Sequence, residues 1–322
     1  MLAAYAARQS ADDPLSGLEV AEIDRPETPD GWVRVRVKVA ALNHHDIWSL
    51  RGVGLPSDRL PMILGCDAAG VLDDGSEVLV HAVISDPSWA GEETMDPRRS
   101  LLSEVYPGTL AEEVWVPAHN VVPKPSEMSF EHAACLPTSW LTAYRMLFTN
   151  SGVTPGGSVL VQGAGGGVAT ALIQLGAAAG YRMFVTSRDE SKAQRALDLG
   201  AVGAVASGER LPVRVDAVME TVGAATWSHS VNSLNQGGTI VISGATSGDA
   251  PAKAELTKIF FKQLRVIGST MGSRTELERL THLITTAGIE PAIDSVHSLA
   301  DAASGFAAMA RGDVMGKILF TV

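Results

Sequence analysis

The chain has only two cysteines in 322 residues, Cys66 and Cys135. That excludes a disulfide framework and a four-thiolate zinc site. Positive charge is also in deficit: 25 Lys and Arg stand against 36 Asp and Glu, a net charge of −11. Such a balance argues against a nucleic-acid backbone or an anionic membrane as partner. No apolar run approaches the ~20 residues of a membrane span, and the N-terminus lacks the basic-then-apolar order of a signal peptide. Internal repeats and low-complexity tracts are absent. The expectation is a soluble, cytoplasmic protein. Its 46% hydrophobic and 19% charged content suits a large core, and its length suits two domains.

What is present centres on residues 158–180. Val159, Leu160, Val161 and Gln162 read as a short buried strand, and Gly163, Ala164, Gly165, Gly166 and Gly167 as a glycine turn. Residues 168–179 form an apolar, proline-free run with helical character, stopped by Gly180. Strand, glycine turn and helix together suit a pyrophosphate: the backbone can approach closely, and the helix N-terminus faces the negative charge. A second strand at 182–186, a helical pattern over 192–199 and Leu199-Gly200-Ala201 complete a β-α-β unit of dinucleotide-binding length. The competing reading is a Gly/Ala-rich packing contact with no ligand; the surrounding unit favours the dinucleotide.

Elsewhere, residues 33–39 alternate apolar and basic as a half-buried antiparallel strand, with the basic face solvated. Residues 82–109 show little periodicity and read as a long surface loop. From Ser129 a helical pattern runs to Leu147. Three further strands, at 215–220, 238–243 and 264–268, each end near Gly or Ser, where ligands sit in a parallel sheet. Helices follow at 277–285 and 300–310, and residues 316–322 read as a strand returning to the first domain. His44, His45 and Asp46 could serve metal or acid–base chemistry, although neighbouring side chains point apart.

In order and spacing, the chain resembles the medium-chain dehydrogenase/reductase superfamily, in its zinc-free quinone-oxidoreductase-like branch. The resemblance rests on Asn43-x-x-Asp46, Gly65-x-Asp67-x-x-Gly70, Thr142-Ala143, the glycine turn at 163–169, Leu199-Gly200-Ala201, Gly237-Gly238, Gly268-Ser269 and Gly316-Lys317. It implies an α/β chain: a GroES-like β-rich catalytic domain (1–123 and 269–322) and a Rossmann doubly wound parallel-sheet domain (124–268), with the active site between them. A homodimer is the family habit. Zinc-dependent members place ligands where this chain has Asn43, Cys66 and Thr138, of which only Cys66 could ligate, so no metal is expected. A rearranged site joining Cys66 to His44, His45 or Asp67 stays open.

The resemblance also assigns roles. Ser187 stands where NAD-dependent relatives keep an acid, and Arg188 and Lys192 could pair with a 2′-phosphate, so NADPH is expected. Asp189 and Glu190 nearby would weaken this if turned inward. Asn43 would polarise the substrate oxygen, and His45 would donate a proton. His44 would lie near the pyrophosphate, with the glycine turn and Val168. Thr142, Val222, Gly223, Ser243, Gly244, Ser269 and Met271 would line the nicotinamide half. Trp48, Leu55, Cys66 and Thr138 would bound the substrate pocket. Cys66 reads as an inert thiol and Asp46 as a structural carboxylate. The implied activity is NADPH-dependent reduction of a quinone or an α,β-unsaturated carbonyl, a small-molecule substrate. An alcohol dehydrogenase is the competing enzyme, and an NADPH-binding sensor or scaffold the reading of another class.

Overall fold

The structure, a computed structural model, describes residues 1–27 and 29–322. By contacts it divides into Met1–Leu141 with Met271–Val322, and Thr142–Thr270. Sequence reading placed the first break at 123/124. The difference arises because the segment after Pro125 belongs with the β-rich unit. Ser129 caps the Phe130–Ala134 helix by accepting from His132 N, and that helix packs on the Trp32–Ala41 and Asp67–Val71 strands. Two π-helical stretches, Leu136–Trp140 and Arg145–Asn150, carry the expected helical pattern onward.

The β-rich unit is built on a seven-stranded sheet. Its path runs Val121–Pro123, Glu77–Val80, Asp67–Val71, Trp32–Ala41, Lys317–Thr321, Ile293–Ser298, with Glu113–Pro117 also paired to Trp32–Ala41. Val35, Val37 and Val39 point into the core, as the alternation predicts. The basic face is not simply solvated: Arg34 binds Asp73 at 2.6 Å and Glu113 at 3.3 Å, which fastens neighbouring strands. Gly70 is required by close approach, since a Cβ there would lie 2.2 Å from the Arg36 carbonyl oxygen.

Residues 82–109 are a surface loop only in part: 87–91 and 97–99 are exposed, but the two ends are built into the unit. Val83–Ile84 and Ser100–Leu101 pair antiparallel, and Ala82, Leu102, Ser103 and Thr109 are buried. Periodicity fails as a guide here because side chains, rather than repeated strands, satisfy the backbone. Asp96 accepts from Asp86 N and Arg98 N. The terminal strand does return to this unit, antiparallel to Trp32–Ala41 and parallel to Ile293–Ser298.

The second unit is a six-stranded parallel sheet in the order Gly203–Ala206, Arg182–Ser187, Ser158–Val161, Val215–Glu220, Leu234–Ile242, Arg265–Gly268. This is the doubly wound arrangement, whose carboxyl strand ends form the ligand edge. Leu160, Val218 and Ile240 are fully buried in it, each contributing roughly 1.5–3 kcal/mol by leaving water. The Gly167–Ala178 helix follows the glycine turn and ends before Gly180, whose φ of +80° suits its lack of a Cβ. Among the described residues, no helix is long and apolar enough to cross a membrane.

Candidate functional site

At the carboxyl edge of the parallel sheet, Gly163 turns the chain with φ +85° and Gly166 caps the Gly167–Ala178 helix. A Cβ on Gly166 would meet nothing within 4 Å, so the helix N-terminus is open to an anionic group. This geometry fits the pyrophosphate of a dinucleotide.

Ser187 ends the second strand, accepting from Asp189 N and donating to Asp189 O. The Asp189 carboxylate accepts from Lys192 N and Ser191 Oγ and so caps the Glu190–Asp198 helix. These bonds hold its pKa below the usual carboxylate range. The acid is thus committed to the helix end, beside the exposed Arg188. On the far side of the sheet, Ser243, Gly244 and Ser269 line an open cavity of about 500 Å³. Asn150 Nδ2 donates to Ser269 Oγ.

A buried polar network lies behind this edge, and the sequence reading missed it. Gly163 N donates to Thr186 Oγ1, which donates to Gln162 Oε1. Gln162 Nε2 donates to Ser230 Oγ and to His229 Nδ1, and Ser230 Oγ donates to Glu220. Glu220 also accepts from Thr226 Oγ1, Val222 N and Gly223 N. The N–H groups of Gly163, Val222 and Gly223, expected to face a cofactor, are therefore spent inside the protein. Gln162 and Glu220, polar residues ending apolar strands, were the available signal.

Thr142 is nearly buried in the short Leu141–Tyr144 helix. The Met271 side chain packs into the core of the β-rich unit, so only its backbone is left for the role expected of it.

In the β-rich unit, the Trp32–Ala41 strand delivers Asn43 to the start of the His44–Leu50 helix. Asp46 accepts from Asn43 N at 2.9 Å and Gly65 N at 2.8 Å, the structural role expected of it. Burial pushes its pKa up to about 7 against those two bonds. Lys317, 2% exposed, is the charge at the centre. Its ammonium donates to Leu42 O at 2.8 Å, Asn43 Oδ1 at 2.7 Å and Asp67 Oδ2 at 2.9 Å. Three donors meet three acceptors. An ammonium cannot accept, so the Asn43 oxygen must face Lys317 and the amide nitrogen must face away. Nδ2 donates to Ala41 O at 3.5 Å, at the outer edge of hydrogen-bonding distance.

His45 lies 3.8 Å from Glu104. Burial lowers its pKa, against the raising influence of Glu104 and Asp67. His44 is exposed and meets Trp48 edge to face, and Arg51 stacks on the other ring of that pair, 5.1 Å from the Trp48 centroid. Leu55 and Cys66 are core rather than pocket wall, 2% and 0% exposed. Cys66 Sγ donates to Leu102 O, and burial pushes the thiol well up, so the inert reading fits. Thr138 is half-buried, and its hydroxyl has no partner among the described residues.

The donor set does not fit zinc. Asn43 and Thr138 offer an amide and a hydroxyl, and Cys66 a thiol held protonated, beside a buried ammonium. Among the described residues, no three His, Cys, Asp or Glu side chains gather where a metal could sit.

Two family models match: an alcohol dehydrogenase GroES-like domain over residues 29–126 and a zinc-binding dehydrogenase over 167–286. The acryloyl-coenzyme A reductase of Metallosphaera sedula is 28% identical, covering 95% of this chain and 96% of its own. A zinc-type alcohol dehydrogenase-like protein, YogA, of Leptosphaeria maculans is 30% identical over 95% of this chain and 94% of its own. The crystal structure of an NAD-dependent alcohol dehydrogenase superposes with a TM-score of 0.92 at 34% identity, covering 100% of both chains.

Proposed function

We propose that this chain, which belongs to the medium-chain dehydrogenase/reductase superfamily, is an NADPH-dependent reductase of an α,β-unsaturated carbonyl or a quinone, working without a metal. One observation carries the reading: Lys317 holds the Asn43 amide by its oxygen, so that Nδ2, committed only to a 3.5 Å bond to Ala41 O, is the end left to bind a substrate oxygen. Bound reduced nicotinamide supplies the hydride. When hydride reaches the electrophilic carbon, negative charge collects on the substrate oxygen, and a preoriented amide donor stabilises it there. His45 then returns a proton to the enolate or phenolate. The likeness to an acryloyl-coenzyme A reductase supports an activated alkene as the acceptor. The NAD-dependent alcohol dehydrogenase favours a second reading, carbonyl reduction. That chemistry is run with a zinc Lewis acid elsewhere, and Asn43, Cys66 and Thr138 offer no zinc set here.

The glycine turn 163–167, Val168 and the helix behind it would hold the pyrophosphate, with His44 nearby. Thr142, Ser243, Gly244 and Ser269 would face the nicotinamide side, with the loop at Val222 and Gly223. Ser187, Arg188 and Lys192 would receive the 2′-phosphate. Arg188→Ala should weaken NADPH by roughly tenfold to a hundredfold, the worth of a charged hydrogen bond of ~1.5–3 kcal/mol, and leave NADH nearly unchanged. Fluorescence titration with both nucleotides checks this; equal losses end the assignment. Turnover is read in parallel with crotonyl-CoA, cinnamaldehyde and 1,4-naphthoquinone. Tight NADPH binding with no oxidation by any of them would favour a sensor or scaffold instead.

We also propose a homodimer through the Arg265–Gly268 edge of the parallel sheet. An edge strand can pair with its own copy across a two-fold axis. Beside it, Leu256, Phe260 and Phe261 are 69%, 62% and 70% exposed, an apolar patch of the kind that marks an interface. Phe261→Asp should convert the dimer to monomer in light scattering after size exclusion. A monomeric parent chain would sink the idea.

A further inference from the structure

We propose that Glu104 is a positioning residue for His45: it holds the buried Nε2–H and leaves Nδ1 as the nitrogen that exchanges a proton. The inference rests on the proton-donor role given to His45 above. His45 Nε2 is buried with no hydrogen-bond partner among the described residues, and Glu104 Oε1 is the carboxylate oxygen facing it at ion-pair distance, 3.8 Å. The ring is still 19% exposed through its other atoms. Only one arrangement uses both facts: Nε2 faces the carboxylate, and the opposite side of the ring faces outward.

The surrounding chain is shaped to bring these two groups together. Leu101 N donates to Glu104 Oε2, and Glu104 N donates to Leu101 O, which closes a turn over residues 101–104. Within it, Ser103 is buried and adopts φ +68°, an uncommon conformation for a residue with a Cβ. The turn is pinned from below by Cys66, whose Sγ donates to Leu102 O and lies 3.7 Å from Ser103 Oγ. Opposite stands Gly54 at φ +83°. A Cβ there would sit 3.0 Å from Glu104 Oε1 and 3.7 Å from His45 Cε1. The absence of a side chain lets carboxylate and imidazole approach. Cys66, which plays no chemical part, thus acquires a mechanical one.

The charges around His45 fix the direction of the effect. His44 and Asp46 flank it on its own helix, and Asp67 faces it from the neighbouring strand, paired with Lys317. Glu104 comes from the pinned turn. Its negative charge favours the imidazolium, which burial disfavours. In the protonation step, the Nδ1–H bond breaks and a C–H or O–H bond forms on the substrate anion. The ring becomes neutral with its remaining proton on Nε2, against Glu104. Solvent restores the Nδ1 proton.

Glu104→Gln tests this cleanly, because the amide oxygen can still accept from Leu101 N while the charge is lost. Histidine 15N NMR of the full chain, with His45 assigned through His45→Phe, should show neutral His45 protonated on Nε2. In Glu104→Gln its pKa should fall by about one unit. The alkaline limb of kcat with NADPH and the best acceptor of the panel should move down in pH to match, with KM little changed. Glu104→Asp should restore part of the shift. An Nδ1–H tautomer, or a pKa identical in parent and Glu104→Gln, overturns the proposal. Should Glu104→Gln fail to fold, Gly54→Ala, which wedges the pair apart, must lower the His45 pKa in the same way, and an unchanged value overturns the proposal. The reading beneath it fails separately: His45→Phe with undiminished turnover removes the proton donor, whatever the NMR shows.

Discussion

Lys317→Met should destabilise the β-rich unit by about 3–5 kcal/mol, the cost of stranding a buried charge. Asp67 is fully buried, and its Oδ2 is held by Lys317 at 2.9 Å while its Oδ1 has no hydrogen-bond partner among the described residues. Without the ammonium, the carboxylate keeps its desolvation penalty and loses its main compensation. Methionine preserves most of the side-chain volume, so packing contributes little to the loss. Since total stability of a domain is only about 5–15 kcal/mol, the shift in a urea midpoint should be large. The control is Lys317→Met combined with Asp67→Asn, which removes both charges and should recover most of the stability. If single and double variants unfold together, the buried pair is not what holds this region.

Asn43→Asp is the sharper test of chemistry. The new carboxylate still accepts from Lys317, with a stronger, charge-assisted bond. It has no N–H to offer, and it would repel an oxygen gaining negative charge. Turnover should fall by about 10²–10³, the usual cost of deleting one oxyanion donor. The loss should appear in kcat with the NADPH affinity intact. If Asn43 serves only to satisfy Lys317, aspartate does so at least as well, and near-parental turnover would end its catalytic assignment.

The parts of this molecule legible in the sequence are those whose signals are local. Strand Trp32–Ala41 shows its alternation within ten residues, and the glycine turn stands directly between an apolar strand and an apolar helix. Ser129 and Gly180 mark a helix start and a helix stop. The resemblance singled out Asn43 and His45 by position. It could not reveal what orients them, because those partners lie far along the chain. Lys317 is 274 residues from Asn43 and 250 from Asp67. Glu104 sits in a stretch whose order comes from side-chain-to-backbone bonds rather than from any repeat. The Gln162–Glu220 network is likewise invisible to periodicity, since each member looks like the polar end of its own strand. Met271, too, is placed by motif position alone, which gives no sign that its side chain packs into the core of the β-rich unit.

The strand Lys317–Thr321 is interior to the seven-stranded sheet, between Trp32–Ala41 and Ile293–Ser298. During synthesis, at about 5–20 residues per second, it emerges after every other strand of this sheet. By then the parallel-sheet unit, Thr142–Thr270, has had every one of its own strands available. The β-rich unit, split around the parallel-sheet unit, is therefore completed after it. The parallel-sheet unit can reach its final form while the chain is still growing, whereas Asn43 stays without its anchor until Lys317 arrives.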